Sequence, residues 1–246
     1  EYHITGLPVA NDTFGVEMFI QMAISAPVAM LLIFVLMWVF FRKVSLIISP
    51  MVVALLSVIL TMGLLVISGN TVHIMSSMIP IFIMPIAVLD AVHILSEFYD
   101  RYPAIRDRRQ TIQAVLKTLW TPMLFTSLTT TAGFASLALA PIPPVQVFGI
   151  FIAIGVLLAW FLTITVIPAI ILVLPESIFA SYAERPAEAE AGRGLLARLG
   201  RFTGRRPRSI LTAMLVIVAV SAVGISQITI NDNPVKWFES DHPIRI

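Results

Sequence analysis

The sequence predicts an all-α polytopic membrane protein: six transmembrane helices, joined alternately by short loops and by basic, partly amphipathic segments. Three observations carry that prediction. The first is composition. Of 246 residues, 58% are hydrophobic and only 12% charged, with a mean hydropathy of +0.94, where a soluble domain has about a quarter of its residues charged. The second is that six apolar runs reach the roughly 20 residues that a helix needs to cross a bilayer. The third is that 14 of the 16 Lys and Arg residues fall in alternate connections.

The six runs are residues 18–41, 46–68, 76–98, 119–140, 145–174 and 209–228. In the third, Pro80 and Pro85 are expected to kink the helix. The fifth is long enough to require a tilt, or a break near Pro168. Internal prolines are compatible with membrane helices when neighbours satisfy the freed carbonyls. Arg42 and Lys43 follow the first run. Arg101, Arg106, Arg108, Arg109 and Lys117 separate the third from the fourth. Seven arginines, from Arg185 to Arg208, separate the fifth from the sixth. The connections 69–73 and 141–144 carry no basic residue. The positive-inside rule therefore puts the basic connections in the cytoplasm and both termini on the periplasmic side.

Two basic segments have helical apolar spacing. Ile112, Val115, Leu116 and Leu119 do so within 106–120, and Leu195, Leu196, Leu199 and Phe202 within 194–202. Both are expected to lie in the interface and meet anionic lipid. Their juxtamembrane position favours lipid over nucleic acid as the partner of the 201–208 arginines. The absence of cysteine excludes disulfides, thiolate nucleophiles and zinc–thiolate sites. The chain opens on Glu1 and reads as part of a longer polypeptide, with 182–194 as its best internal boundary.

Asp90 is the one charged side chain inside the apolar core of any run. A carboxylate near mid-bilayer costs about 2.5–3.5 kcal/mol on insertion scales, so an intramembrane acid marks a proton or ion route by default. The plain alternative is an acid that merely faces a polar cavity. Asp90, His93 and Glu97 are spaced i, i+3, i+7 and share a helical face. His93 either extends Asp90 into a short proton relay or simply satisfies Asp90 or a backbone carbonyl. Glu97 sits at the cytoplasmic exit as a solvated end residue. No second ligand pair accompanies Asp90 and His93, so no metal site is expected. No nucleophile motif or second catalytic pair is present, so the chain is not expected to be an enzyme. The fourth run carries Thr126, Ser127, Thr129, Thr130, Thr131, Gly133 and Ser136. Small residues let helices approach closely, and Thr126, Thr129 and Thr130 are candidate hydroxyls to support Asp90. Close packing alone is the other reading of the same stripe.

Ala87-Val88-Leu89-Asp90-Ala91-Val92-His93-Ile94-Leu95 resembles the fourth-helix motif of the RND (resistance-nodulation-division) superfamily, in its MMPL and hydrophobe/amphiphile efflux branch. Thr129, Thr130, Gly133, Phe134, Ser136 and Leu137 resemble the fifth helix of that family, and 141–149 its entry into the sixth. The resemblance implies an organisation by segments. Residues 1–17 end a first periplasmic porter domain, and 18–174 are helices two to six. Residues 175–208 are a basic cytoplasmic linker, 209–228 are helix seven, and 229–246 begin a second porter domain. Some members carry two acids, or Asp-Tyr, where this chain has Leu89, Asp90 and Ala91, so any relay here rests on Asp90 alone.

The function implied is the membrane core of an exporter of lipids or hydrophobic compounds in the bacterial inner membrane. It would be driven by the proton gradient without a cofactor, with Asp90 and His93 as relay. The partners implied are membrane lipids, a hydrophobic or lipid substrate and the remaining half of the same transporter, with homo-oligomerisation left open. A lipid- or sterol-sensing domain that does not pump is the alternative. The sequence does not fix the coupling ion, proton or sodium.

Overall fold

The computed structural model describes residues 7–41, 44–175, 179 and 202–225. Among them all regular structure is helical, with no strand. The elements are α1 (Leu7–Phe41), α2 (Val44–Ile67), a short α3 (Ile74–Ser77), α4 (Ile79–Ile105), α5 (Arg108–Ala135), a 3-10 turn (Ser136–Leu139), α6 (Pro143–Val173) and α7 (Pro207–Ile225). Six of these helices are long and apolar enough to cross a membrane. The chain is a multi-pass, all-α membrane protein.

The chain divides into two units, 11–185 and a second made of 1–10 with 186–246. In the described part of the second unit, α7 is a single spanning helix that begins at Pro207. In the first unit, α2, α4 and α6 pack on one another, and α5 lies against α4 and α6. α1 is anchored by Ile33 and Met37. Otherwise it exposes apolar side chains on every side, among them Phe19, Ile24, Leu31 and Trp38, as a helix surrounded by lipid does.

Close approach of the helices depends on two glycines of α6. A Cβ on Gly155 would collide with Ile83 of α4 and lie 2.9 Å from Thr61 Oγ1 of α2. A Cβ on Gly149 would lie 2.5 Å from both Leu137 Cβ and the Phe134 carbonyl. Around these positions Leu65, Ile79, Ile83, Phe148, Ile152 and Val156 form one apolar cluster. A larger cluster, with Ala87, Ala91, Ile94, Phe98 and Ile167, fills the other end of the bundle.

Several boundaries differ from the sequence expectations. Residues 76–98 are not one bent helix. α3 closes at Met78, whose N–H bonds to the Met75 and Ser76 carbonyls, and Pro80 opens α4 at its first turn. There proline removes an N–H that would be unpaired in any case, so Pro80 starts a helix and does not kink one. Pro85 lies inside the continuous α4.

α6 does not break at Pro168. It runs to Val173 with Pro168 buried. Its last turn is tied down from outside: Arg108 Nη1 donates to the carbonyls of Ile171, Leu172 and Leu174 at 3.4, 3.2 and 2.5 Å. At 31 residues, α6 is about 46 Å long, more than a hydrocarbon core of about 30 Å, so its ends lie beyond the apolar slab or it tilts.

Segment 106–120 is not a separate interfacial helix. Arg106, in the left-handed region at φ 56°, ends α4, and its N–H bonds to the Tyr102 carbonyl. The Asp107 side chain then caps α5 by accepting from Gln110 N at 2.7 Å. α5 continues without a break into the span, and Thr111, Ile112 and Val115 are buried in the bundle. The apolar stripe was real, but it faces the other helices, not lipid headgroups. The second amphipathic segment (194–201 of 194–202), most of the 175–208 linker, and 229–246 lie outside the described residues.

Candidate functional site

Asp90 sits in the middle of α4, where no charged residue precedes it in the helix. Its side chain is 6% exposed. Ala87, Val88, Ala91 and Ile94 around it are buried apolar residues of the larger core cluster. A buried carboxyl in such surroundings needs hydrogen-bonding partners. Ser127 of α5 places its hydroxyl beside it, and the His93 imidazole follows one turn further along α4. Oδ2 has no hydrogen-bond partner among the described residues.

The shared face of Asp90, His93 and Glu97 passes from the interior to the surface. Asp90 is buried, His93 exposed and Glu97 half-buried. Glu97 pairs with Arg101 at 2.6 Å, one turn on. It belongs to an ion pair towards the end of the span. His93, one turn on, thus lies on the way from the buried Asp90 to the outside of the bundle.

The expected supporting hydroxyls lie elsewhere. Thr126 is exposed and donates to the Pro122 carbonyl of its own helix at 2.9 Å. Thr129 is exposed too and donates to the Phe125 and Thr126 carbonyls. Thr130, half-buried, donates to the Thr126 carbonyl at 2.8 Å. Short hydroxyl side chains on helices commonly bond back in this way. The hydroxyl that reaches Asp90 is Ser127, which is 2% exposed. It continues the buried i, i+4 line of α5 through Met123. That line starts at Ile112 and Val115, and extending it was the signal that would have singled out Ser127.

Aromatic contacts close both ends of the site's surroundings. Phe82, Phe134 and Phe148 meet edge to face at centroid separations of 5.7–6.4 Å. Towards the other end, Phe98 stacks on Tyr102 at 5.4 Å, and both contact Phe179. Trp120 of α5 meets Trp160 of α6 at 5.1 Å. Among the described residues, no group of three His, Asp or Glu side chains is arranged to hold a metal ion.

The profile of the MMPL family matches residues 1–210. Two membrane proteins of Streptomyces coelicolor are similar. SCO5905 is 24% identical over 185 residues, covering 73% of this chain and 21% of the relative. ActII-3 is 24% identical over 234 residues, covering 91% and 32%. The chain thus spans about a fifth and a third of the lengths of these relatives. With most of its length matched, the chain belongs to the MMPL family of membrane proteins.

Proposed function

We propose that this chain is the membrane core of a proton-driven exporter of lipids or other hydrophobic compounds, with Asp90 as the acid that takes up and releases the proton. Membership of a transporter family, not an enzyme family, supports a transport role. The observation that carries the finer reading is the burial of Asp90 among apolar residues, with Ser127 as hydroxyl neighbour and one oxygen unpartnered. A group held in this way is stabilised differently in its charged and neutral forms. Protonation changes which packing of α4 against α5 is preferred. A proton moving down a membrane potential supplies about 2.3 kcal/mol per 100 mV, and the cycle of Asp90 couples that energy to the rest of the transporter. His93, exposed one turn away, is the exchange group. The substrate route and the partner groups belong to the remainder of the protein, and both ends of this chain face the outer side of the cytoplasmic membrane.

The test is Asp90→Asn in the full-length protein, reconstituted in proteoliposomes with an imposed proton gradient. Asn keeps the size and loses the titration. Gradient-driven flux should fall to background with expression and melting temperature near wild type. Wild-type, gradient-dependent flux in Asp90→Asn would remove Asp90 from the mechanism. His93→Ala should reduce flux less than Asp90→Asn.

A further inference from the structure

Of the buried side-chain polar atoms in the first unit that have no hydrogen-bond partner among the described residues, three sit at one level of the bundle. They are Asp90 Oδ2 on α4, and Trp160 Nε1 and Thr163 Oγ1 on α6. Thr163 is fully buried. A helical threonine ordinarily donates to the carbonyl four residues back, as Thr61, Thr118 and Thr165 do here at 2.7–3.1 Å. Thr163 makes no such bond, so its hydroxyl is directed away from its own helix.

Contacts between the helices fix the level. α4 and α6 run in the same direction, with the antiparallel α5 between them. Gly155 of α6 abuts Ile83 of α4. Asp90 lies seven residues beyond Ile83 on the same stripe of α4, and seven residues beyond Gly155 is Leu162. Independently, Thr131 of α5 donates to the Ala153 carbonyl of α6 at 3.5 Å. Four residues back along α5 is Ser127, level with Leu157. Since Ser127 meets Asp90, the acid lies between the levels of Leu157 and Leu162. Trp160 falls inside that interval and Thr163 one residue past it. At about 1.5 Å per residue, all three orphan atoms lie within side-chain reach of one level. The contact with Trp120 holds the Trp160 indole on the α5 side of α6, the side from which Ser127 reaches Asp90.

The three atoms are complementary. Asp90 Oδ2 accepts, the indole N–H donates, and the threonine hydroxyl does both. A buried water typically makes about three hydrogen bonds to such groups. We infer that Asp90, Trp160 and Thr163 form a water-binding site inside the bundle, and that Thr163 and Trp160 are positioning residues through which a bound water holds the second oxygen of Asp90. Ser127 holds the carboxyl directly, while α6 holds it through this water. α2 and α6 carry no ionisable side chain, those of α5 are Arg108, Arg109 and Lys117 in its first half, and α4 supplies His93. No charged group other than His93 thus competes for the water at this level. The role in proton transfer rests on the proposed function; the water site does not.

The test is infrared difference spectroscopy of the full-length protein in proteoliposomes, in ordinary and ¹⁸O-labelled water, with Asp90→Asn to assign the Asp90 carbonyl band. Wild type should show an isotope-sensitive O–H stretch from an ordered internal water. Thr163→Val, which keeps the shape and removes the hydroxyl, should lose that stretch and shift the Asp90 carbonyl band as a hydrogen bond is lost. Thr163→Ser should restore both, which a merely structural role would not require. Trp160→Phe should shift the water band. Gradient-driven flux should drop roughly tenfold in Thr163→Val, the scale of one hydrogen bond. A water band that is absent from wild type, or unchanged in Thr163→Val, overturns the site. A water band lost in Thr163→Val with the Asp90 band unmoved overturns the link to Asp90. If instead Asp90→Asn transports normally while the water band behaves as stated, the exporter mechanism fails and the water site stands.

Discussion

A lone carboxyl can be carried in a spanning helix where adjacent helices give it polar neighbours, and here the direct neighbour is a serine whose own residue type says nothing special. Ser127→Ala in the full-length protein should lower gradient-driven flux about 3- to 10-fold, since it removes one hydrogen bond to the acid. Thr126→Val and Thr129→Val should leave flux within about twofold, because both hydroxyls bond within α5 and face outward. Proteoliposome transport assays on the three variants check the order. The buried position of Asp90 was legible in the sequence, because a charge inside an apolar run has to turn away from lipid. The partner was not legible by type. The stripe holds several hydroxyls, all able to bond to their own helix, and which one turns inward depends on the rotation of α5. Only the buried line through Ile112, Val115 and Met123 specifies that rotation.

At the level of elements, the existence of each helix followed from hydropathy, and the errors fell at the ends. Hydropathy reads the apolar stretch, while a helix ends where capping groups end it. Asp107 starts α5 in the middle of a basic connection, so one helix covers both the predicted amphipathic segment and the predicted span. Pro80 opens a helix where a kink was expected, because proline at a first turn starts a helix; α6 takes the unbroken course of the two expected, since a buried proline with a tethered last turn does not end one. The tether is testable. Arg108→Ala should release the carbonyls of Ile171, Leu172 and Leu174 and speed hydrogen exchange in the last turn of α6, with α2 unaffected. Arg108→Lys should restore only part of the protection, since an ammonium lacks the planar fork.

Helix spacing gives a second ordered prediction. Gly149→Ala should destabilise by about 1–3 kcal/mol, because the new methyl meets a backbone carbonyl and a Cβ that cannot move aside. Gly155→Ala should cost less, since the Ile83 terminal methyl can rotate away. Gly133→Ala, with open space around it, should be neutral or stabilising by up to about 1 kcal/mol. Thermal melts of the purified protein in detergent rank the three.

For the whole molecule, fold class and number of spans were legible, because both depend on summed apolar surface and not on detail. The sidedness of the chain rests on the distribution of its basic residues. Reporter fusions at Gly69–Asn70 and within 187–190 should report opposite sides of the membrane, the second cytoplasmic, and agreement between the two would overturn the orientation. One feature of the architecture bears on how such a protein moves. α5 is one continuous helix from the serine at the acid to the arginine that grips the end of α6, 20 residues with Pro122 among them, and about 28 Å from one to the other. Apart from the one backbone bond that Pro122 removes, its hydrogen bonds pass a displacement along the axis. If Ser127 follows the carboxyl as its charge comes and goes, the far end swings with it, and the last turn of α6 is drawn along by three carbonyl bonds. The two helices then move as a linked pair, so that a shift of the carboxyl in the core is delivered at the membrane face without a separate messenger.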